Sequence, residues 1–524
     1  MPDNKFHGGE ALARAVERAY EQGGTDYSLE PMSLVDGEGK PVGKIKDGDH
    51  VVFCCRRGER EIELTEAFTD PGFSHFEREY MKDLEFVIMT MYHEKFKDLP
   101  IAFAPERVEK PLAQVLSEAG LRQFHCSESE KFAHVTFFFN GGYNQPFPGE
   151  TDLCVPSPKG IPFDQKPELS LPTVAEKVEA AVDEGYDFIV TNFANGDVIG
   201  HTANREAKLL AAAAISRYVD RVAHYAKEKG YVVAVTADHG NIEALYTKEG
   251  KPHVAHTTNL VPFIVLDPKG REVSLHDGRL GDVAPTVLSV LGISQPEQMT
   301  GRSLIDTPEF KNDRMMLIIL DGWGFGSHDE GDGIYIADTP EWDALLERYP
   351  NSRLRASGED VGLQAGKAGN SEAGHNNLGA GRVVPQDDMR MDAAIRDGSF
   401  MRNPVFLRAI DAAREEGTAL HLLSYLTEKS SHGCIDYPIM LTEMAKEAGV
   451  KETYLHIIFD GRSTEPGSAP ELLKWLDEKL EEIGTGTIVD GIGRGIALDR
   501  DHNYEKTEKA YNNLVFGTGT AYQA

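Results

Sequence analysis

Met315-Met316-Leu317-Ile318-Ile319-Leu320-Asp321-Gly322-Trp323-Gly324 sets the reading of the whole chain. Six uncharged apolar residues closed by an acid and a glycine read as a buried parallel strand, because a strand covered on both faces need not alternate apolar with polar. Two further runs repeat the pattern: Asp187-Phe188-Ile189-Val190, followed by Asn195-Gly196-Asp197, and Tyr231-Val232-Val233-Ala234-Val235-Thr236, followed by Asp238-His239. In open α/β sheets ligands collect beyond the carboxyl ends of the strands, so three strands ending in acidic motifs predict one shared site. Between two of them, the stretch from Ala203 to Lys229 is rich in helix formers and stops at Gly230, which predicts a crossover helix. A second helix-and-strand region runs from about Asn403 onward, with a helix over 470–483 that places Pro near its start. No internal repeat stands out.

With 524 residues the chain exceeds one hydrophobic core, which implies two or more domains. At 40% hydrophobic and 27% charged residues it has the composition of an ordinary globular protein. The formal net charge of −31 argues against nucleic acid or an anionic membrane as partner, since binding a polyanion needs a dense Lys/Arg face. An anionic substrate must therefore meet a local cationic pocket. The five cysteines (Cys54, Cys55, Cys126, Cys154, Cys434) lack the spacing of a zinc ribbon or a disulfide framework, which fits a reducing cytoplasm. Met1-Pro2-Asp3-Asn4-Lys5 leads into no apolar signal region, and no uncharged run is long enough to span a bilayer, so neither export nor membrane insertion is expected.

Four segments carry ligand-type residues. Asp197 and His201 are four apart and share a face if their segment is helical. Asp238-His239 follows the strand ending at Thr236, and Asp321 follows the strand ending at Leu320. His253 and His256 lie in Lys251-Pro252-His253-Val254-Ala255-His256. Singly, each has an ordinary alternative: a turn or helix cap for the acids, a hydrogen-bonded loop residue for the histidines. Together, three acidic strand ends and two further histidines supply the mixed oxygen and nitrogen donors that suit Mn²⁺, Mg²⁺, Zn²⁺ or Co²⁺. Ser371, in Gly369-Asn370-Ser371-Glu372-Ala373-Gly374-His375, adds a nucleophile. A serine hydroxyl is weak at neutral pH, but coordination to a divalent cation favours the alkoxide and orients it. Its glycine-flanked segment reads as an accessible loop whose amides can approach a phosphate; an ordinary turn is the competing reading.

Several motifs taken together resemble the cofactor-independent phosphoglycerate mutases of the alkaline phosphatase superfamily: Leu317 to Gly326, Ala356 to Arg382, Glu130 to Gly142, Asn192 to His201, Thr236 to Asn241 and Lys251 to Asn259. The resemblance covers nearly the whole chain. It implies an α/β fold with an alkaline-phosphatase-like domain, its mostly parallel sheet flanked by helices, plus a second α/β transferase domain. It implies interconversion of 3-phosphoglycerate and 2-phosphoglycerate by a monomer through a phosphoserine at Ser371. Two divalent ions, Mn²⁺ foremost, would take part without bisphosphoglycerate. One ion would be held by Asp197, His201 and His256, the other by Asp321, Ser371, Asp238 and His239. Substrate contacts map onto Arg57, Arg60, Lys131, His432, Arg462, Arg494 and Arg500, whose guanidinium groups suit phosphate and carboxylate. Arg56 reads as a solvated surface charge.

Two departures from the family accompany the match. The segment resembling the family's N-terminus begins near Met315, directly after Met299-Thr300-Gly301-Arg302-Ser303-Leu304-Ile305, which resembles its C-terminal end. The chain thus reads as circularly permuted, with the phosphatase-like domain continuous over 106–385 and the transferase domain split into 1–105 and 386–524. Asp460-Gly461-Arg462 is followed by Ser463 where the family has an acid/base aspartate, and the family's histidine loop is altered to Lys429-Ser430-Ser431-His432-Gly433-Cys434. Serine cannot take a proton as a carboxylate does near pH 7, leaving Asp460, His432 or Glu428 as substitutes. Two rival readings follow: a metal-dependent phosphohydrolase or phosphomutase acting on another small phosphate ester, and a non-catalytic, metal-loaded binding protein or engineered scaffold.

Overall fold

The computed structural model describes residues 7–56, 60–428, 430 and 432–523. They form two compact units, one of Met1–Pro105 with Arg390–Ala524 and one of Glu106–Met389. Each is α/β, built on an eight-stranded sheet.

In the Glu106–Met389 unit the three strands read first from the sequence lie side by side. Met315–Leu320 runs parallel between Phe188–Phe193 and Val232–Thr236. All of their residues are buried, which accounts for the unbroken apolar runs. Gln123–Glu128 and Glu150–Val155 extend the sheet, still parallel, beyond Phe188–Phe193. On the other side Val261–Leu266 runs antiparallel to its neighbours Val232–Thr236 and Asn351–Arg355. The crossover helix is Arg205–Glu228; Asn204 caps it by accepting from Ala207 N at 3.2 Å, and Gly230 follows in the left-handed region that glycine adopts without cost.

The register fixes where the functional residues emerge. Leu320 pairs with Phe193 and Ile319 with Thr236, so Asp321 leaves the sheet beside Ala194, three residues before Asp197, and level with Asp238. Gly322 turns away at φ +71, and a Cβ there would stand 2.7 Å from Asp197 N; only glycine admits both the conformation and the approach.

The other unit orders its strands Thr520–Tyr522, Met32–Leu34, Thr487–Gly493, Thr453–Phe459, Leu420–Leu426, His50–Phe53, Glu85–Thr90, Ile101–Phe103. All pair in parallel except Met32–Leu34 against Thr487–Gly493. The C-terminal helix expected over 470–483 is Ala469–Ile483, with Pro470 in its first turn. Among the described residues no helix is long and apolar enough to cross a membrane. All five cysteines are free, and Cys154 alone of them is exposed.

Candidate metal centre

The carboxyl ends of the three adjacent strands converge as the sequence predicts, around the ammonium group of Lys131. Its Nζ donates to Asp197 Oδ2 at 2.7 Å, to Asp321 Oδ1 at 2.8 Å and to Ser371 Oγ at 2.6 Å. Burial disfavours the ammonium, but the carboxylates of Asp321, Asp197 and Asp238 outweigh it and hold Lys131 well above the usual lysine range. By the same pairing Asp321 and Asp197 are held below the ordinary carboxylate range, against burial, which would raise them.

Ser371 differs from its sequence reading. It lies in no loop but opens the helix Ser371–Ala380, and it is buried at 6% exposure. Asn370 is the cap, accepting from Ala373 N at 2.9 Å; an Asn before a run of helix formers is the signal that glycines on either side obscured. Ser371 Oγ lies 3.0 Å from His239 Nε2 and donates to Asp321 Oδ1 at 3.1 Å.

The histidines are aimed by backbone carbonyls. His201 Nδ1 faces Val254 O at 2.9 Å, His256 Nδ1 faces Gly369 O at 2.8 Å and His239 Nδ1 faces Gly240 O at 3.1 Å. Each contact leaves Nε2 directed at the acids, as metal-ligating imidazoles are commonly held. His201 and His256 place Nε2 3.1 and 3.0 Å from Asp197 Oδ1. Asp197 lies in the first turn of the short helix Asn195–Gly200 and His201 caps its end, so the four-residue spacing does bring them to one face. His253 does not join the centre: its backbone N donates to Leu245 O and its O accepts from Lys208 Nζ, the hydrogen-bonded loop alternative.

Three overlapping groups have ligand atoms within 4.8 Å of one another: Asp197, His201 and His256; Asp197, His239 and Asp321; and Asp238, Asp321 and His375. The donors fit divalent cations. Asp238 Oδ2 is buried and accepts no hydrogen bond, with His375 Nδ1 at 3.2 Å and His239 Nε2 at 3.5 Å as its nearest imidazole nitrogens. Burial lowers the His239 imidazole, yet Asp238, Asp321 and Asp197 together push it up to about 10, so the cluster is short of cationic charge and holds a proton where a metal ion would displace one.

Sequence reasoning missed His375, Asn192 and Asn241. His375 stands one turn below Ser371, with Nδ1 2.9 Å from Ser371 O, and Nε2 3.0 Å from Asn192 Nδ2. The i, i+4 spacing could have found it once the segment was recognised as helical. Asn192 Nδ2 donates to Asp321 Oδ2 at 2.7 Å and Asn241 Nδ2 to Asp197 Oδ1 at 2.9 Å; these partners are far apart in the chain and carry no local signal.

Lys131 is the one expected substrate contact in this unit, and it stands within the ligand cluster. The others lie in the second unit. Arg494 is buried, donates to Asp460 Oδ1 at 2.7 Å and packs over the Tyr425 ring, whose OH donates to the same oxygen at 2.8 Å. The His432 ring is 6.1 Å from that of Tyr425, and its Nδ1 is 3.3 Å from Oε1 of Glu61, a carboxyl that burial raises. Arg60 is buried and donates to Leu498 O at 3.0 Å, whereas Arg462, Ser463 and Arg500 are exposed. Arg57 lies outside the described residues, as do Lys429 and Ser431 of the His432 loop. Arg56 is no surface charge: it is 4% exposed, with Nη1 donating to Tyr437 OH at 2.7 Å, Nη2 to Ser430 O and its backbone N to His432 O. A guanidinium buried among carbonyl and hydroxyl acceptors cannot be told in sequence from a solvated one.

The Metalloenzyme superfamily matches residues 34–295, half of the chain. The chain belongs to that superfamily. Membership and the three ligand groups together support a dependence on divalent metal, and the Asp197–Asp238–Asp321 cluster has the donors that could hold it. A second family, described as the N-terminus of BPG-independent PGAM, matches 391–524. Among curated proteins, the 2,3-bisphosphoglycerate-independent phosphoglycerate mutase of Thermomicrobium roseum is 48% identical over 302 residues, 56% of this chain and 57% of that protein. The mutase of the same name from Moorella thermoacetica is 44% identical over 300 residues, 57% and 58% of the two chains. The chain thus spans less than two thirds of the length of the curated relatives it matches. A crystal structure of Leishmania mexicana phosphoglycerate mutase at low cobalt concentration is 32% identical, with a TM-score of 0.40 over 52% of this chain and 53% of that one.

Proposed function

We propose that the chain interconverts 3-phosphoglycerate and 2-phosphoglycerate through a phosphoserine at Ser371. The observation carrying this reading is the surround of Ser371 Oγ: Lys131 Nζ at 2.6 Å, His239 Nε2 at 3.0 Å and Asp321 Oδ1 at 3.1 Å, at the first turn of a helix. Asp321 accepts the hydrogen bond of the hydroxyl and orients its oxygen, Lys131 offsets charge on the transferring phosphoryl group, and the free amides of the helix start favour the phosphorylated side chain. Two divalent ions, Mn²⁺ foremost, would be held by Asp197, His201 and His256 and by Asp321, Ser371, Asp238 and His239; when bound they supply the charge that makes the hydroxyl a competent nucleophile. Arg494 and His432, with Arg57, Arg60, Arg462 and Arg500, would take the glycerate and its phosphate in the other unit. The names and identities of the curated relatives support this reading.

The permuted chain order is part of the proposal. A family described as an N-terminus matches the last quarter of this chain, behind the Metalloenzyme match, which supports it. We further propose a cytoplasmic monomer.

One observation favours the phosphohydrolase reading. Asp460 is engaged at Oδ1 by Arg494 and Tyr425 and at Oδ2 by Ser463 N. Ser463 also lines a groove of about 540 Å³ whose charged residues are Glu428, Glu465 and Glu471, set among hydroxyl and apolar side chains; three acids and no cation disfavour a second anionic group on the substrate. Incubation with Mn²⁺ and 3-phosphoglycerate, followed by quantifying 2-phosphoglycerate, free phosphate and phosphoserine in tryptic peptides, separates the readings. Phosphate release without isomer would replace the mutase by the hydrolase. No modification of Ser371 would sink both.

A further inference from the structure

The edge of the Glu106–Met389 sheet carries a second polar cluster that shares no ligand with the centre at Ser371. Gln123–Glu128 and Glu150–Val155 pair in the register Gln123 with Glu150 and His125 with Asp152. Side chains two apart on a strand share a face, so Gln123, His125, Glu150 and Asp152 fall together on one side. His125 and the Glu150 side chain are fully buried.

The hydrogen bonds leave a deficit of positive charge there. Gln123 Nε2 donates to Ala113 O at 2.8 Å, which fixes its amide with Oε1 toward His125 Nε2 at 3.2 Å. Both ring nitrogens of His125 thus face acceptors, Nε2 the Gln123 oxygen and Nδ1 Val135 O at 2.7 Å and Glu150 Oε1 at 3.6 Å, so whichever nitrogen carries the hydrogen of the neutral ring, the other meets an oxygen lone pair. Asp152 Oδ1 is buried without a partner. So is Oδ1 of Asn140, a residue 1% exposed whose Nδ2 donates to Glu150 Oε1 at 2.7 Å. Burial and the adjoining Glu150 carboxylate push the Asp152 carboxyl up to about 7, so the two acids are close enough to share a proton that a cation would displace. Burial lowers the His125 imidazole, so a second ring proton is disfavoured as the remedy.

We propose that His125 Nδ1, Glu150 and Asp152 hold a divalent cation, with Val135 O and Asn140 Oδ1 available as further oxygen donors. One imidazole and two carboxylates suit Zn²⁺ or Mn²⁺. The three side chains already place their ligand atoms within 4.8 Å of one another. Such an ion is structural in its consequence. The segment it ties down begins at Lys131, passes through the single π-helical turn His134–Phe138 that presents Val135 O, and ends at Asn140. The cation would fasten to the sheet edge the turn that delivers the Lys131 ammonium to Asp197, Asp321 and Ser371.

Crystals of the full chain grown with Zn²⁺, and separately with Mn²⁺, test this by anomalous difference density. A peak about 2.0–2.3 Å from His125 Nδ1 and from Glu150 and Asp152 oxygens is expected. Equilibrium dialysis should also find one ion per chain fewer in Asp152→Ala than in the unaltered protein, with the difference preserved when both carry Asp197→Asn and Asp321→Asn. Anomalous peaks confined to the Asp197–Asp238–Asp321 cluster would overturn the proposal, as would equal stoichiometry in a folded Asp152→Ala protein. Should that variant not fold, the map of the unaltered protein decides alone.

Discussion

Replacing Lys131 by Met removes the ammonium but keeps most of the volume, and its effect on the metal-free protein can be worked from the contacts. Two buried carboxylates, at 2.7 and 2.8 Å, lose their counter-charge together. Breaking a buried pair from one side costs about 3–5 kcal/mol, because the remaining charge is stranded. An unfolding entropy of about 2.1 cal/mol/K per residue gives roughly 0.6 kcal/mol/K for a unit of this size, so Tm should fall by about 5–8 °C in chelator at pH 7. The difference depends on pH in a fixed direction. Asp321 and Asp197 are held below their unfolded values, so their contribution is complete above about pH 4–5 and fades as pH falls through the depressed folded values. Lys131 is held above its unfolded value, so its share persists through neutral pH and is lost only in strong alkali. The gap between wild type and Lys131→Met is therefore full from about pH 5 to pH 9 and starts to narrow only as pH falls below about 4. Saturating Mn²⁺ should narrow it at pH 7, since the added cations neutralise the same oxygens. Turnover should fall about 10²–10³-fold, as when a donor to developing charge is removed. Calorimetry with chelator and with Mn²⁺ reads all of this; a metal-free variant melting within about 1 °C of wild type at pH 7 would refute the account of the centre as a charge-deficient cluster held by Lys131.

Ser371→Ala should abolish phosphoryl uptake from labelled 3-phosphoglycerate and lower turnover by at least about 10⁴-fold, as nucleophile removals do; residual labelling of the variant would move the nucleophile elsewhere. Ser463→Asp should raise the ratio of 2-phosphoglycerate formed to phosphate released, because it returns a proton-accepting carboxylate beside Asp460; an unchanged ratio would mean that another group already serves. Gly322→Ala forces a left-handed φ and sets a Cβ 2.7 Å from Asp197 N, so urea denaturation should show a loss of about 1–3 kcal/mol, with weaker Mn²⁺ binding than an exposed Gly230→Ala control.

The parts of this site legible in sequence are those where the residue carrying the chemistry adjoins a strongly patterned element. Asp321, Asp238 and Asp197 each follow a run too apolar to be anything but a strand buried on both faces. Their convergence follows from parallel pairing, because every carboxyl end then lies at the same edge. What stayed hidden depends on partners distant in the chain. Asn192 holds Asp321 and Asn241 holds Asp197, yet neither differs locally from any asparagine near a strand end. Burial of Arg56 is set by Tyr437 and the Ser430 carbonyl, 381 and 374 residues away. Ser371 was misread for a local reason: glycines at 369 and 374 suggest a loop, while Asn370 satisfies the first free amides and starts a helix. Lys131 was found through the family resemblance, but nothing in its neighbourhood announces that it reaches the middle of the ligands.

The position of Met315–Leu320 in its sheet has a consequence for how the protein is made. It is hydrogen-bonded on both sides, by Phe188–Phe193 and Val232–Thr236, both of which leave the ribosome earlier. A nascent chain that has displayed Asp197, His201, Asp238 and His256 still has a one-strand gap where the sheet must close, and the proposed nucleophile Ser371, with His375 behind it, comes some fifty residues after that strand. The two early strands must stay open to an insertion between them, an arrangement costly in loop closure and exposed to mispairing while it waits. Metal capture in this chain is therefore an event of the finished sheet rather than of the growing one, and free Mn²⁺ supplied during synthesis should speed folding only once residue 371 has been released.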